Sequence, residues 1–483
     1  MSSILLKNAT VITMDGSRRV LRHGAVAVQG NRIAAVGDSD DLSVRYAQTA
    51  TVIDCEGGIV LPGLINCHSH AGHAVMGKLA GDMMNRWWAM LIQVYENYAD
   101  RDFWFTDGSL HACAALRSGI TTTLNVMGST PMGDDPSIPQ GHAAGYTAVG
   151  GREILGVGIP YASKYPKAYT RWRDGKKVPV LADYDDMLAG TEEALRTVHN
   201  AFGGKAKVFV TPHQQLMGHD PNEKCPAGLT RLTPMELDIN FKVRALARKY
   251  GTQVYTDTYG GWITLAYTDK ENMLLGPDVL LGMEHVAATN FRELDILANT
   301  GTKVYYTAEG IYKRVPVSEA MQKGIPLAIT TNGCAPRTSL DLLEALRRAI
   351  LSERIFHDNM AYLSAPRALE AVTIDAARCL GQQDELGSLE PGKKADIAVY
   401  TPKTDLYPAA CPVERLVYGA SGGDFSTVIV DGVVVLAGHK FTQVDERDVL
   451  ARAADLHEKV VRDNQLENAV DPVIWRKTRM EHI

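Results

Sequence analysis

Between residues 59 and 387 the chain alternates short apolar, β-branched runs with longer amphipathic segments, and it does so eight times. The runs are GIVLPGLINCHSH, ITTTLNVMG, REILGVGI, AKVFVTPH, TQVYTDTYG, VLLGMEH, TKVYYTAE and LAITTNG. The intervening segments, such as DYDDMLAGTEEALRTVHNAF, PMELDINFKVRALARKYG and SLDLLEALRRAI, repeat apolar residues at helical spacing. Strand–helix alternation implies a parallel sheet, and eight such units close into a (β/α)8 TIM barrel of the α/β class. An open doubly wound sheet competes with it, but no GxGxxG follows the first strand.

The two ends of the chain have another texture. SILLKNATVITM, GAVAVQG and RIAAVGD at one end, and ADIAVYTP, STVIVDG and VVVLAGHK at the other, alternate in the manner of strands. Asp431-Gly432 marks a hairpin turn. Residues 1–58 and 388–445 are therefore expected to form one composite β-sandwich beside the barrel of 59–387. VDERDVLARAADLHEKVVRDN has helical spacing, so 446–483 reads as a C-terminal helical extension. Met127 to Pro139 and KYPKAYTRWRDGKKVP break the regular alternation. They read as long loops at the barrel mouth, the second equally as a disordered surface insertion.

Composition narrows the partners. The formal net charge of -6 offers no basic surface for nucleic acid or anionic lipid. No apolar run reaches the roughly 18 residues of a membrane span, and the N-terminus lacks the features of a secretory signal. Seven cysteines with no CxxC point to reduced thiols in the cytoplasm.

Polar residues gather at the C-terminal ends of the expected strands, where barrels carry their chemistry. Strand one ends in His68-Ser69-His70, four in His213, five in Asp257, six in His285, seven in Glu309 and eight in Asn332. Residues two apart on a strand point to the same side, so both imidazoles of the HxH pair can reach one metal. Each residue also has a plainer reading. Asp257 can cap a turn, Asn332-Gly333 is a good turn pair, and Glu309 can pair with Lys313 or Arg314. Trp87 and Trp88 can be core residues. His73, His142 and His219 read as loop histidines. Cys334 has no basic partner, which argues against a nucleophile.

LPGLINCHSH, MGKLAGDMMNRWWAM, ALRSGITTTLNV, SLDLLEALRRAI, ALEAVTIDAARCLG and ELGSLEPGKKADIAVY together resemble the amidohydrolase superfamily. The similarity is to the branch with guanine and S-adenosylhomocysteine deaminases and triazine hydrolases, and it covers nearly the whole chain. It implies a divalent metal held by the strand-one histidines, a strand-five histidine and a strand-eight aspartate. It further implies a strand-six histidine that orients water or substrate, and a proton-shuttling glutamate three residues after the strand-five histidine. His68, His70 and His285 match. His213 matches a histidine near the substrate, and the segment with Trp87 and Trp88 matches the helix over it. The resemblance also implies a homodimer or homotetramer.

Three positions depart from that pattern: Asp257 replaces the strand-five histidine, Gly260 the shuttle glutamate and Asn332 the strand-eight aspartate. His68, His70 and Asp257 make a two-histidine, one-carboxylate set suited to one zinc, iron(II) or manganese ion. Asn332 is left to bind the metal through its amide oxygen or to hold water, and it cannot accept a proton. His285 is then the expected proton acceptor, with Glu309 as second candidate. The expected activity is metal-dependent hydrolysis of a C–N bond in a small, cyclic, nitrogen-containing molecule. The alternatives are a metal-assisted lyase, decarboxylase, ring-opening or dehalogenating enzyme, and a non-catalytic small-molecule binder.

Overall fold

The computed structural model describes residues 3–79, 84–130, 132–160, 162, 165–173, 176–213, 232–257, 263, 264, 267, 274–283, 291–308, 315–335, 338–401 and 410–467. Eight parallel strands form the central sheet in chain order: Leu64–His70, Ile120–Val126, Arg152–Ile159, Ala206–Pro212, Val254–Asp257, Val279–Gly282, Lys303–Thr307 and Leu327–Thr330. They are the eight runs expected from the sequence, and their apolar side chains are almost entirely buried. Ile65, Leu124, Ile154, Phe209, Tyr255, Leu280, Tyr305 and Ala328, one from each strand, pack into a common core.

The seam between the first and last strands is closed by other means than a regular ladder. Asn66 Nδ2 donates to Thr331 Oγ1 at 2.7 Å, and the Thr331 N–H donates to Asn66 Oδ1 at 3.3 Å. Further down, the Ile65 and Ile329 N–H groups donate to the carbonyls of Val372 and Ala371. The backbone groups left over by an open seam are thereby satisfied.

The chain ends form a separate, mostly antiparallel sheet of nine strands. The run GIVLPGLINCHSH is shared between the two sheets. Ile59–Pro62 pairs with Ser3–Ile12 and Ile397–Tyr400, and Leu64–His70 enters the barrel. Gly63 is the switch, because a Cβ there would stand 2.2 Å from the Thr121 side chain. Asp431 and Gly432 both take positive φ in the expected hairpin. The amphipathic C-terminal segment is the helix Glu446–Asp463. No helix among the described residues is long and apolar enough to cross a membrane.

Two readings of the sequence are corrected here. The segment read as a loop or disordered insertion forms an antiparallel hairpin, Lys167–Arg173 with Lys176–Ala182, whose Arg171 pairs with Asp134 at 2.6 Å. His73 and His142 are not loop residues. His73 opens the short helix His73–Met76, and His142 lies inside Ser137–Val149. Both are buried. The glycines of Ser137–Val149 serve close helix packing. A Cβ at Gly145 would stand 2.0 Å from the Phe105 carbonyl of the neighbouring helix Arg101–Arg117.

Arg152 at the base of strand three fastens the barrel to the terminal sheet. Its guanidinium donates to both Asp396 oxygens, at 3.1 and 3.0 Å, and both residues are buried. Asp396→Ala leaves the buried Arg152 guanidinium with the longer Asp431 contact at 3.5 Å and should destabilise the fold by about 3 kcal/mol. Replacing both partners by apolar residues (Arg152→Met with Asp396→Leu) should recover most of that loss. Denaturant midpoints of the two variants test this, and equal midpoints would remove the pair from the account.

Candidate active site

Past a register shift between Asn66 and Ser69, the end of strand one turns His68 and His70 into the barrel mouth and Ser69 outward. The His68 ring is fully buried. It stacks on Tyr305 with centroids 4.6 Å apart and meets His70 edge-on at 4.7 Å. Burial, aided by the neighbouring His68 and His73, holds His70 well below the usual imidazole range. The ring is therefore neutral, the form that binds metals.

A chain of hydroxyl groups fixes the proton on His68. Asp257, at the end of strand five, is buried and receives a hydrogen bond from the Tyr305 hydroxyl on Oδ1. Tyr305 in turn accepts from the Tyr255 hydroxyl at 2.7 Å. The Tyr255 oxygen is then the acceptor for His68 Nδ1. Since a carboxylate only accepts, the polarity runs one way and Nδ1 carries the proton. Gly282 at the end of strand six gives this chain room. A Cβ there would lie 2.3 Å from the Tyr305 hydroxyl and 2.5 Å from Asp257 Oδ1.

His68 Nε2 is left with a lone pair, and it faces Asn332 Oδ1 at 3.0 Å. That oxygen is itself oriented as an acceptor by the Gly333 N–H at 2.8 Å. Two acceptors turned toward each other fit a cation held between them. His70, whose ring meets the same Asn332 side chain, adds a third ring nitrogen to the set. The donor set therefore fits a divalent metal. Asn332 adopts φ of 61°, so its suitability for a left-handed turn and its place at the site coexist.

The other expected residues distribute unevenly. His213 follows strand four and is partly exposed, with its ring 6.2 Å from that of Trp88. Trp88 is 44% exposed, whereas Trp87 is buried among apolar neighbours. His285, Glu309, Gly260 and His219 lie outside the described residues. Cys334 is partly exposed, but burial of its thiol pushes the pKa up to about 12, which makes it a poor nucleophile.

Three residues at the site escaped the sequence reading. Tyr255 and Tyr305 form the hydroxyl chain, and His73 stacks on His70 at 4.7 Å with Trp87 edge-on to it at 5.4 Å. Burial lowers His73 to about 3. Tyr255 precedes Asp257 by two positions, so strand parity alone puts them on one face. That signal was available. The Tyr255–Tyr305 contact was not, because it depends on strand register.

Comparison with known proteins places the fold in a family. The family model described as "Amidohydrolase family" matches residues 59–435, and one for an imidazolonepropionase-like composite domain of bacteria matches residues 24–48. A 5'-deoxyadenosine deaminase of Methanosarcina acetivorans is 26% identical over 482 residues, covering 95% of this chain and 99% of the relative. Among solved structures, a zinc-bound adenosine deaminase from Xanthomonas campestris superposes with a TM-score of 0.77 at 20% identity, over 95% of this chain and 98% of that one. A zinc complex of atrazine chlorohydrolase from Arthrobacter aurescens gives a TM-score of 0.73 at 22% identity, over 94% and 100%. With its eight-stranded barrel, its sheet of chain ends and a family match across most of its length, the chain belongs to the amidohydrolase family.

Proposed function

We propose that this protein is a metal-dependent hydrolase that cleaves a carbon–nitrogen bond of a small cyclic substrate, with His68, His70 and Asp257 as metal ligands. The observation that carries the reading is the pair of acceptors, His68 Nε2 and Asn332 Oδ1, 3.0 Å apart in a family of metal-dependent hydrolases. A divalent cation there supplies the Lewis acidity that makes water a nucleophile near neutral pH. The centre takes one ion. Zinc has support from the zinc-bound neighbours, while iron(II) and manganese suit a site with added oxygen donors.

The chain's own residues divide the remaining work. Tyr255 and Tyr305 hold His68 in the tautomer that offers Nε2, and they fix one oxygen of Asp257. Asn332 accepts hydrogen bonds but takes no proton at neutral pH, so proton transfer falls to His285, with Glu309 as the second candidate. His213 and the exposed face of Trp88 flank the mouth and suit a flat heterocycle. The relatives' names direct attention to purine nucleosides and triazines. The described cysteines are unpaired thiols, in keeping with the reducing cytoplasm.

One observation favours a second reading. With Asn332 where a proton-accepting aspartate is expected, release of halide, which needs no proton, becomes competitive with release of ammonia. A panel of adenosine, 5'-deoxyadenosine, S-adenosylhomocysteine and chloro- and amino-triazines separates the two. Metal-dependent ammonia release supports deamination and chloride release supports dehalogenation. Turnover of no heterocycle by the metal-loaded protein would overturn both.

Two substitutions test the assigned roles. Tyr255→Phe keeps the ring but loses the acceptor for His68 Nδ1, so metal affinity should drop about 10–100-fold in chelator competition. Unchanged affinity would remove the hydroxyl chain from the metal site. Asn332→Asp sets a carboxylate beside His68 Nε2 and should raise both metal affinity and ammonia release. If neither moves, Asn332 lies outside the working site.

A further inference from the structure

The outer side of strand one carries a second group of ligand-type side chains. Ser69 leaves the strand opposite to His68 and His70, and its Oγ lies 3.4 Å from His111 Nε2. Asp107 and His111 stand four residues apart on Arg101–Arg117, so they share one helix face. His142 reaches them from Ser137–Val149, and all three side chains are fully buried. One carboxylate oxygen of Asp107 and one ring nitrogen of each histidine lie within 4.8 Å of one another.

The geometry admits a bound ion. His142 Nε2 is 3.1 Å from Asp107 Oδ2, a hydrogen-bond distance. Two ligands each about 2.0–2.1 Å from one zinc ion in near-tetrahedral arrangement stand roughly 3.3 Å apart, so a small opening of this contact seats the ion. His142 turns its other nitrogen toward Glu153 Oε1 at 2.8 Å, and Glu153 is also buried and held by Asn125 Nδ2 at 2.5 Å. A ligating histidine typically faces a carboxylate with its second nitrogen. His111 has its Nε2 toward the Ser69 hydroxyl and a buried Nδ1 with no hydrogen-bond partner among the described residues. Buried ring nitrogens are rarely left so.

Charge points the same way. Asp107 and Glu153 bring two carboxylates to His142, and a proton on the ring compensates only one of them. A divalent cation with both histidines neutral compensates both.

We propose that Asp107, His111 and His142 bind a structural divalent transition-metal ion, zinc(II) by its two-nitrogen, one-oxygen donor set, separate from the centre at His68 and His70. Asp107 also accepts the Gly72 and Val75 N–H groups at 2.6 and 2.8 Å. An ion bound to it braces the turn that follows His70, so the two centres share one stretch of backbone without sharing a ligand.

Metal analysis of the full-length protein, expressed with zinc and dialysed against metal-free buffer, tests this. The expected count is two ions per chain, with His111→Gln losing one and the double variant His68→Ala with His70→Ala losing the other. A protein with one ion that His111→Gln retains and the double variant loses would overturn the proposal. One ion that His111→Gln loses and the double variant keeps would support it, and would instead sink the reading of the first centre. If His111→Gln does not fold, the double variant decides alone. A remaining zinc whose X-ray absorption shows two imidazoles and a carboxylate supports the site, and no remaining zinc overturns it.

Discussion

The alternation of side chains at the end of strand one, from His68 to His70, sets the rest of the molecule's chemistry. Consecutive residues of one strand face opposite sides, so His68 and His70 point into the barrel while Ser69 points to the helical layer. A slip of one residue would exchange the two sets and abolish both polar clusters at once. Register is therefore pinned heavily. Asn66 ties the strand to Thr331 across the barrel seam, and Gly63 releases it from the terminal sheet at the point where the barrel begins. Arg152 and Asp396 then lock barrel and terminal sheet together, so that this starting point is held from both sides.

Inside the barrel the constraint becomes one of proton accounting. A carboxylate at the end of strand five is buried, and burial without partners is costly. Tyr305 and Tyr255 supply the partners, and in doing so they transmit the direction of the hydrogen bonds to His68. The chain of hydroxyls thus performs two tasks: it satisfies Asp257 and it selects the tautomer of a ring three links away. Selection of the tautomer is what turns Nε2 toward Asn332, and the meeting of two acceptors there gives the site its affinity for positive charge.

Much of this was legible in the sequence because parallel strands announce themselves locally. Eight apolar runs, the polar residues that end them and the HxH parity all depend on neighbours within a few positions. What stayed hidden depends on distance or on disguise. Tyr255 and Tyr305 meet across 50 residues of chain, which no local pattern records. His142 was disguised by Pro139, Gly141 and Gly145, which suggest a loop when read alone. In the fold they belong to a helix pressed so closely on Arg101–Arg117 that side chains at Gly141 and Gly145 would collide with its backbone. The hairpin of 167–182 was disguised by its lysines and arginines, which hide the strand alternation between its two arms.

The departures from the family pattern acquire a physical meaning once the hydroxyl chain is in view. On the proposed ligand set, exchanging a histidine for Asp257 at strand five and an aspartate for Asn332 at strand eight leaves the ligand charge unchanged, so the attraction for a divalent ion is kept. The base is not kept. At strand eight the carboxylate would stand beside His68 Nε2, close to where water is activated. At strand five one of its oxygens is engaged by Tyr305, and its negative charge is spent on orienting the relay. The exchange therefore separates two properties that a single aspartate would combine, holding the metal and accepting a proton. On the proposed ligand set, such a site would favour leaving groups and substrates that need little help from a base, which directs the substrate search to heterocycles with strongly electrophilic carbon.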